Sequence, residues 1–167
     1  PVRPAAHLLL ALMFGSLSGN KLGPEGAKAL APGIAANGGL TAIGRGGLNL
    51  KDNELGDEGW GAVIAGVCSS NVSKITSIDV SHESIGPDGA RLIAEALRTS
   101  VNGVLTKIVL AWNKLGEEGT KSICEALKVN KTLKELDVSG SENIGGPAGA
   151  KHVADMLIVN GALTKME

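Results

Sequence analysis

Apolar positions change their period repeatedly along the 167-residue chain. Ile108 and Leu110 lie two residues apart, which is the spacing of inward-facing side chains on a strand. Ile123, Ala126 and Leu127 then recur at the spacing of one helical face. The strand spacing returns at Leu136 and Val138. This pattern predicts a strand–turn–helix unit that occurs at least twice in the chain.

The same unit occurs five times, with successive starts 28 to 33 residues apart. The units begin at Leu17, Leu50, Val80, Leu110 and Val138. A sixth begins at Leu163 and is truncated. No unit can cover its own apolar face, so the units must stack side by side. We therefore expect one domain over residues 1–167, and a chain that begins at Pro1 and stops in mid-strand suggests a fragment of a longer protein.

Polar residues at fixed positions predict the turn that follows each strand. Asn20, Asn53 and Asn113 come three residues after the last strand apolar residue, where an amide can hydrogen-bond the turn backbone. Glu83 and Ser141 stand where Asn is expected. A glycine permits the sharp bend into the helix after Leu22, Leu55, Ile85 and Leu115.

Two local departures from the repeat pattern predict changes in the backbone. Pro32 lies inside the first predicted helix, which should be kinked or short. The glycine-rich insertion "GRGG", between Leu40 and Leu50, should bulge out of the second repeat, and it lacks the Lys and Ser/Thr of a phosphate-binding loop.

The segment "LTKIVLAWNKLGEEGTKSICEAL" resembles the leucine-rich repeat family, specifically the long-repeat subclass typified by ribonuclease inhibitor. The resemblance covers roughly residues 12 to 166. It implies an α/β fold in the form of a right-handed curved solenoid, or horseshoe. Parallel strands would line the concave face and helices the convex face, because helices are wider than strands.

Charge and cysteine content limit the classes of partner and the cellular compartment that we expect. A net charge of -1 gives no reason to expect a nucleic-acid or membrane partner. Cys68 and Cys124 are too few for a disulfide framework and are not spaced as zinc ligands, which favours a reducing, cytoplasmic compartment. Two sequons, at Asn71 and Asn130, leave secretion open. The apolar run at residues 7–14 is too short to span a bilayer, and we interpret it as a buried strand or the end of a preceding helix.

No residue cluster has the spacing of a catalytic site, so we expect no enzyme activity and no cofactor or metal. Ser81, His82 and Glu83 are the residue types of a hydrolase triad, but neighbours on a strand point to opposite faces. Cys124 is interpreted as a packing residue. Cys68, which follows the last apolar helical position, is expected to be exposed.

The expected working surface consists of strand residues that alternate away from the core and the residues just after each strand. It should form a floor of small residues with acidic flanks in the third and fifth repeats and one Lys between them. The candidate partner-binding residues are Lys51, Asp79, Ser81, His82, Lys107, Val109, Trp112, Glu135 and Asp137. Trp112 is the natural anchor, because Trp is enriched at binding hot spots. Its alternative role is to cover the adjacent loop, whereas Trp60 is expected to pack between repeats.

The sequence therefore predicts a protein–protein interaction module whose partner is an unidentified protein. Two alternatives stay open. One is a regulator of a small GTPase, since the Ran GTPase-activating protein is similar in repeat type and Arg45 is a conspicuous Arg near a repeat edge. The other is the ligand-sensing array of a larger receptor. Because neither end shows a polar capping repeat, we also expect self-association through the ends or marginal stability.

Overall fold

Strands and helices alternate throughout the part of the chain that the computed structural model describes, residues 15–101 and 103–167. The apolar run at residues 7–14 lies outside these ranges. The helices are α1 (Gly23–Ala36), α2 (Gly56–Ser69), α3 (Pro87–Arg98), α4 (Gly116–Val129) and α5 (Gly146–Val159). The strands are β1 (Ala42–Ile43), β2 (Ser77–Asp79), β3 (Lys107–Val109), β4 (Glu135–Asp137) and β5 (Lys165–Met166).

The strands form one parallel sheet in the order β1-β2-β3-β4-β5. Equivalent positions of successive repeats pair in register, so that Ser77 lies beside Lys107 and Lys107 beside Glu135. In β2, β3 and β4 the central residue is buried and its two neighbours are half-buried. The predicted alternation of inward and outward strand residues is therefore confirmed.

The core lies between the sheet and the helices and consists of aliphatic side chains. Ile78, Ile108 and Leu110 are fully buried, as are Ile93 and Leu127 from the helices. Each helix packs against the helix before it and the helix after it in sequence. A repeat therefore buries its apolar face only through its neighbours, which is the energetic basis of a solenoid.

Buried asparagines join the end of each strand to the repeat before it. The Asn113 amide donates to the carbonyls of Val80 and Leu110, both at 2.9 Å, and its Oδ1 accepts from the backbone N–H of Glu83 and Ile85. Asn53 holds the first two repeats in the same way. The predicted role of these asparagines in the turns is confirmed, and it extends across repeats.

The fifth repeat also has its asparagine, two residues later than the spacing predicts. Asn143, not position 141, donates to the carbonyls of Leu110 and Val138, each at 2.9 Å. The two extra residues of this repeat shift the amide along the chain while preserving its position in space. We call Asn53, Asn113 and Asn143 the asparagine ladder.

A second set of asparagines, which the sequence comparison of repeats missed, caps the helix C-termini. Asn37, Asn130 and Asn160 each follow a helix, and their Oδ1 atoms accept two backbone N–H groups of the next turn. The amides of Asn130 and Asn160 also donate to carbonyls of the preceding helix, Leu97 and Leu127. These amides satisfy carbonyls that a helix end leaves without partners.

The glycine-rich insertion splits the strand of the second repeat. Ala42 and Ile43 pair forward with β2, whereas Asn49 pairs back with Ser16. Residues 44–47 leave the sheet between these two segments and return through the hydrogen bond from Leu48 N–H to the Ala42 carbonyl, 3.0 Å. The predicted bulge is confirmed.

Two predictions about backbone shape need correction. Pro32 does not shorten α1, which has 14 residues, as many as α2. Pro32 lies on the exposed side of the helix, where the carbonyl that lacks an amide donor is accessible to water. Gly86 does not bend the chain with a positive φ, since its backbone is extended. A Cβ there would lie 3.2 Å from Asp57 Oδ2, so Gly86 provides space for that carboxylate.

Candidate functional site

The outward strand residues form a continuous surface, which we call the sheet face. It includes Lys51, Ser77, Asp79, Ser81, Lys107, Val109, Glu135 and Asp137, all half-buried. Lys51 and Asp79 lie 4.0 Å apart, and Lys107 and Glu135 lie 3.0 Å apart. The expected acidic flanks are therefore largely neutralised by ion pairs between neighbouring strands. Ala111, the next alternate position after Val109, is buried.

His82 and Trp112 lie side by side where β2 and β3 leave the sheet. Their rings are parallel, with centroids 5.7 Å apart and an angle of 6° between the planes. Trp112 stays 55% exposed. The indole therefore covers its neighbour in the adjacent repeat and still presents about half of its surface to solvent. Its role as a binding anchor stays a prediction.

The residue after each strand has a positive φ in all five repeats. The values of φ are +73° at Gly19, +57° at Asp52, +61° at His82, +56° at Trp112 and +122° at Gly140. Hydrogen bonds between repeats hold this geometry, for example from the N–H of Trp112 to the Ser139 carbonyl at 2.8 Å. Glycine adopts it freely, whereas a residue with a Cβ pays roughly 1–2 kcal/mol.

Trp112 is therefore the residue least suited to its own backbone position. A bulky side chain at positive φ is uncommon, and such strained residues cluster at functional sites. Gly140 makes room for it in the next repeat, since a Cβ on Gly140 would lie 3.3 Å from the indole Cδ2 and closer still to the Trp112 backbone.

Ser81, His82 and Glu83 do not form a triad, as predicted, because each has a separate partner. The Ser81 hydroxyl donates to Asp79 Oδ1 at 2.6 Å, and the His82 ring stacks on Trp112. Glu83 Oε2 accepts from the indole N–H of Trp60 at 3.1 Å. The three side chains thus contribute to inter-repeat contacts and leave no activated nucleophile.

Trp60 and Glu83 are two departures from the repeat that compensate each other. Trp60 occupies a helical position that is Ala in three other repeats and Thr120 in the fourth, and it is 1% exposed, which confirms its predicted packing role. Glu83 stands in the third repeat where the asparagine ladder has a gap. Burial raises the pKa of the Glu83 carboxyl above its usual value, and the hydrogen bond from Trp60 lowers it in part. The indole N–H therefore satisfies one oxygen of the carboxylate that replaces the asparagine.

Both cysteines are buried and free, so the expectation that Cys68 is exposed is wrong. Cys68 lies on the inward face of α2 and is 1% exposed, because the apolar stripe of that helix extends one position further than predicted. Burial raises the pKa of each thiol to about 11. At neutral pH both thiols are therefore protonated and unsuited to nucleophilic chemistry.

The two sequons differ in accessibility. Asn71 is exposed, whereas Asn130 is 7% exposed and its side-chain amide donates to the Leu97 carbonyl at the end of α3. Within the described ranges no helix has the length and apolar character needed to cross a membrane. Residues 15–101 and 103–167 also contain no group of three or more His, Cys, Asp or Glu side chains that could hold a metal ion.

A comparison with known protein families identifies the type of repeat. The family described as Leucine Rich repeat matches residues 16–31, 48–62, 101–124 and 129–151. These segments coincide with strand–turn–helix units of one parallel sheet. The chain folds as a solenoid of leucine-rich repeats. The expected fold class is therefore confirmed.

A solved structure shows the same leucine-rich repeat fold. It is described as "Leiomodin-1 Actin-Binding Site 2 (ABS2)", and it aligns with a TM-score of 0.59 at 24% sequence identity. The match covers 66% of this chain and 61% of that chain, so the solenoid spans about three fifths of the leiomodin-1 chain. Neither comparison supports the GTPase-regulator or receptor alternatives.

Proposed function

We propose that this solenoid is a protein-interaction module that binds its partner through the sheet face and has no catalytic activity of its own. The observation that supports the proposal most directly is the structural setting of Trp112. It is half-exposed, it is held at a strained positive φ, and it is fixed against His82. A rigid aromatic side chain on a preorganised surface loses little conformational entropy on binding, which makes it an effective anchor.

The rest of the sheet face supports docking of an extended protein surface. Its ion pairs, Lys51 with Asp79 and Lys107 with Glu135, are partly exposed and can exchange partners at small cost. Val109 lies between Asp79 and Asp137 in the strand register and adds an apolar position. The leiomodin-1 structure is described as an actin-binding site, which is consistent with a protein-binding role for this fold.

Affinity capture with the whole chain, followed by calorimetry with the purified partner, tests this proposal. Replacing Trp112 by Ala should weaken binding by at least about 2 kcal/mol, or roughly thirtyfold, as expected for a hot spot. Val129→Ala is the control, because Val129 is 59% exposed on the helical side. Equal binding by Trp112→Ala and wild type, or an equal loss in the control, would contradict the assignment of the sheet face.

Two finer assignments belong to the same proposal. The long strand–turn–helix unit supports the ribonuclease-inhibitor-like subclass. Free, buried Cys68 and Cys124 and the occupied side chain of Asn130 support a reducing, cytoplasmic compartment. Fractionation of cells that produce the protein tests the compartment, and recovery of a protein glycosylated at Asn71 would contradict it.

A further inference from the structure

The insertion in the second repeat creates a recess at one end of the sheet face. Its walls are the loop residues 44–47 and the side chains of Asn49, Lys51, Asp79, Ser81 and His82. The loop packs closely against β2, since a Cβ on Gly44 would lie only 2.7 Å from Asp79 Cβ. The hydrogen bond from Gly44 N–H to the Leu48 carbonyl, 2.8 Å, closes the loop. The recess is therefore a defined feature of the folded chain.

The charged groups of the recess leave an excess of positive charge. Asp79 accepts two hydrogen bonds from Ser81 through Oδ1 and faces Lys51 through Oδ2. The Lys51 ammonium also donates to the Ser81 hydroxyl at 3.1 Å, so these three side chains satisfy one another. Arg45 is exposed on the loop and makes no hydrogen bond or ion pair with any described residue. Its guanidinium is the group in the recess that is left to bind a ligand.

The recess is continuous with the aromatic pair, because His82 lines one and belongs to the other. A ligand that fills the recess and also covers Trp112 must be longer than a small anion. Arg binds carboxylates in a bidentate, charge-assisted geometry.

We infer that the recess binds a carboxylate side chain of an extended acidic segment of the protein partner, whose adjacent residues continue over His82 onto Trp112. This inference rests on the proposed function of the sheet face. It adds the chemistry of the partner, which the repeat pattern alone does not specify.

Selection of random twelve-residue displayed peptides on the immobilised whole chain tests the inference. We expect enrichment of peptides that carry Asp or Glu. The best binder, made synthetically and labelled, should bind Arg45→Gln about tenfold more weakly than wild type, as for loss of one charge-assisted hydrogen-bonded pair. Arg91→Gln is the matched control, because Arg91 is an exposed arginine on α3, outside the recess, and its loss changes the net charge equally.

A second peptide, with the acidic residues replaced by their amides, completes the cycle. It should bind wild type about tenfold more weakly than the acidic peptide, and it should bind Arg45→Gln and wild type equally. If the acidic peptide binds both proteins equally, or the selected peptides show no acidic bias, the recess assignment is wrong.

The failure of this inference can be told apart from failure of the proposed function. Peptides that lose binding to Trp112→Gly but not to Arg45→Gln would leave the sheet face as the docking surface and remove the recess from it. If no selected peptide is sensitive to either substitution, both assignments are contradicted.

Discussion

The indole of Trp112 stacks on the imidazole of His82, with 5.7 Å between ring centroids and 6° between ring planes. Both residues occupy a backbone position that is Gly19 in the first repeat and Gly140 in the fifth. The aromatic pair therefore joins two repeats at a position where glycine would be less strained. Substitutions of Trp112 can therefore test stability and partner binding separately.

Replacing Trp112 by Gly should leave the free energy of unfolding within about 1 kcal/mol of wild type, because relief of the left-handed strain opposes the lost ring contacts. Trp112→Ala loses the ring and keeps the strain, so it should be less stable than Trp112→Gly by about 1 kcal/mol. Urea denaturation measures both. Lys114→Gly is the control, since Lys114 lacks a positive φ and glycine there should destabilise. Trp112→Gly being the less stable of the two Trp112 variants would contradict the strain argument.

The repeat fold was predictable because its signals are local. The spacing of Ile108 and Leu110 recurs along the chain, the position of Asn113 recurs at Asn20 and Asn53, and the structure places these residues as expected. Asn143 was missed because two extra residues displace it from that spacing. The contact between Trp60 and Glu83 was missed because it joins different repeats, and pairwise contacts of that kind leave no periodic signal.

The candidate site was predictable only in outline. Strand alternation identified which residues point outward, but the ion pair between Lys107 and Glu135 depends on strand register. The recess around Arg45 depends on how the loop 44–47 folds back, which glycine content alone does not determine.

Asn113→Ala should lower the free energy of unfolding by about 2–3 kcal/mol. The substitution leaves the buried carbonyl of Val80 without its amide donor and the buried N–H of Ile85 without its acceptor, and each unsatisfied buried group costs about 1–3 kcal/mol. Asn20→Ala is the matched control, because the Asn20 amide bonds the Leu17 carbonyl in an exposed setting. Thermal and urea unfolding should show a loss below about 1 kcal/mol for the control. Similar losses in both variants would argue against the ladder.

Glu83→Gln should stabilise the protein at neutral pH and lose this advantage as the pH falls. Burial raises the folded-state pKa of Glu83, so the folded state holds the proton more tightly than the unfolded state. The contribution of Glu83 to stability therefore falls as pH rises from the unfolded pKa, about 4.3, through the raised folded pKa. Gln can still accept the Trp60 hydrogen bond without a buried charge. Urea unfolding of both proteins between pH 4 and pH 7 measures the difference, and a difference independent of pH would contradict this account.

The exposed apolar side chains of α5 predict that the protein self-associates. Leu157, Ile158 and Val159 are 48%, 81% and 54% exposed, and α5 packs against α4 alone among the described helices. The sedimentation coefficient of wild type should rise with protein concentration, because association removes this apolar surface from water. Ile158→Glu should suppress the rise, whereas Val129→Glu, on the exposed side of α4, should not. A wild-type protein that stays monomeric at high concentration would contradict the prediction.

The most direct test of the central claim is hydrogen exchange, read by mass spectrometry, on the solenoid bound to the partner that it captures. Binding through the sheet face should slow exchange in residues 77–82, 107–112 and 135–139, with the largest change at residues 107–112, around Trp112. Exchange in α2, α3 and α4 should change little. Protection confined to those helices, with β3 and Trp112 unaffected, would contradict the claim that the sheet face is the binding surface.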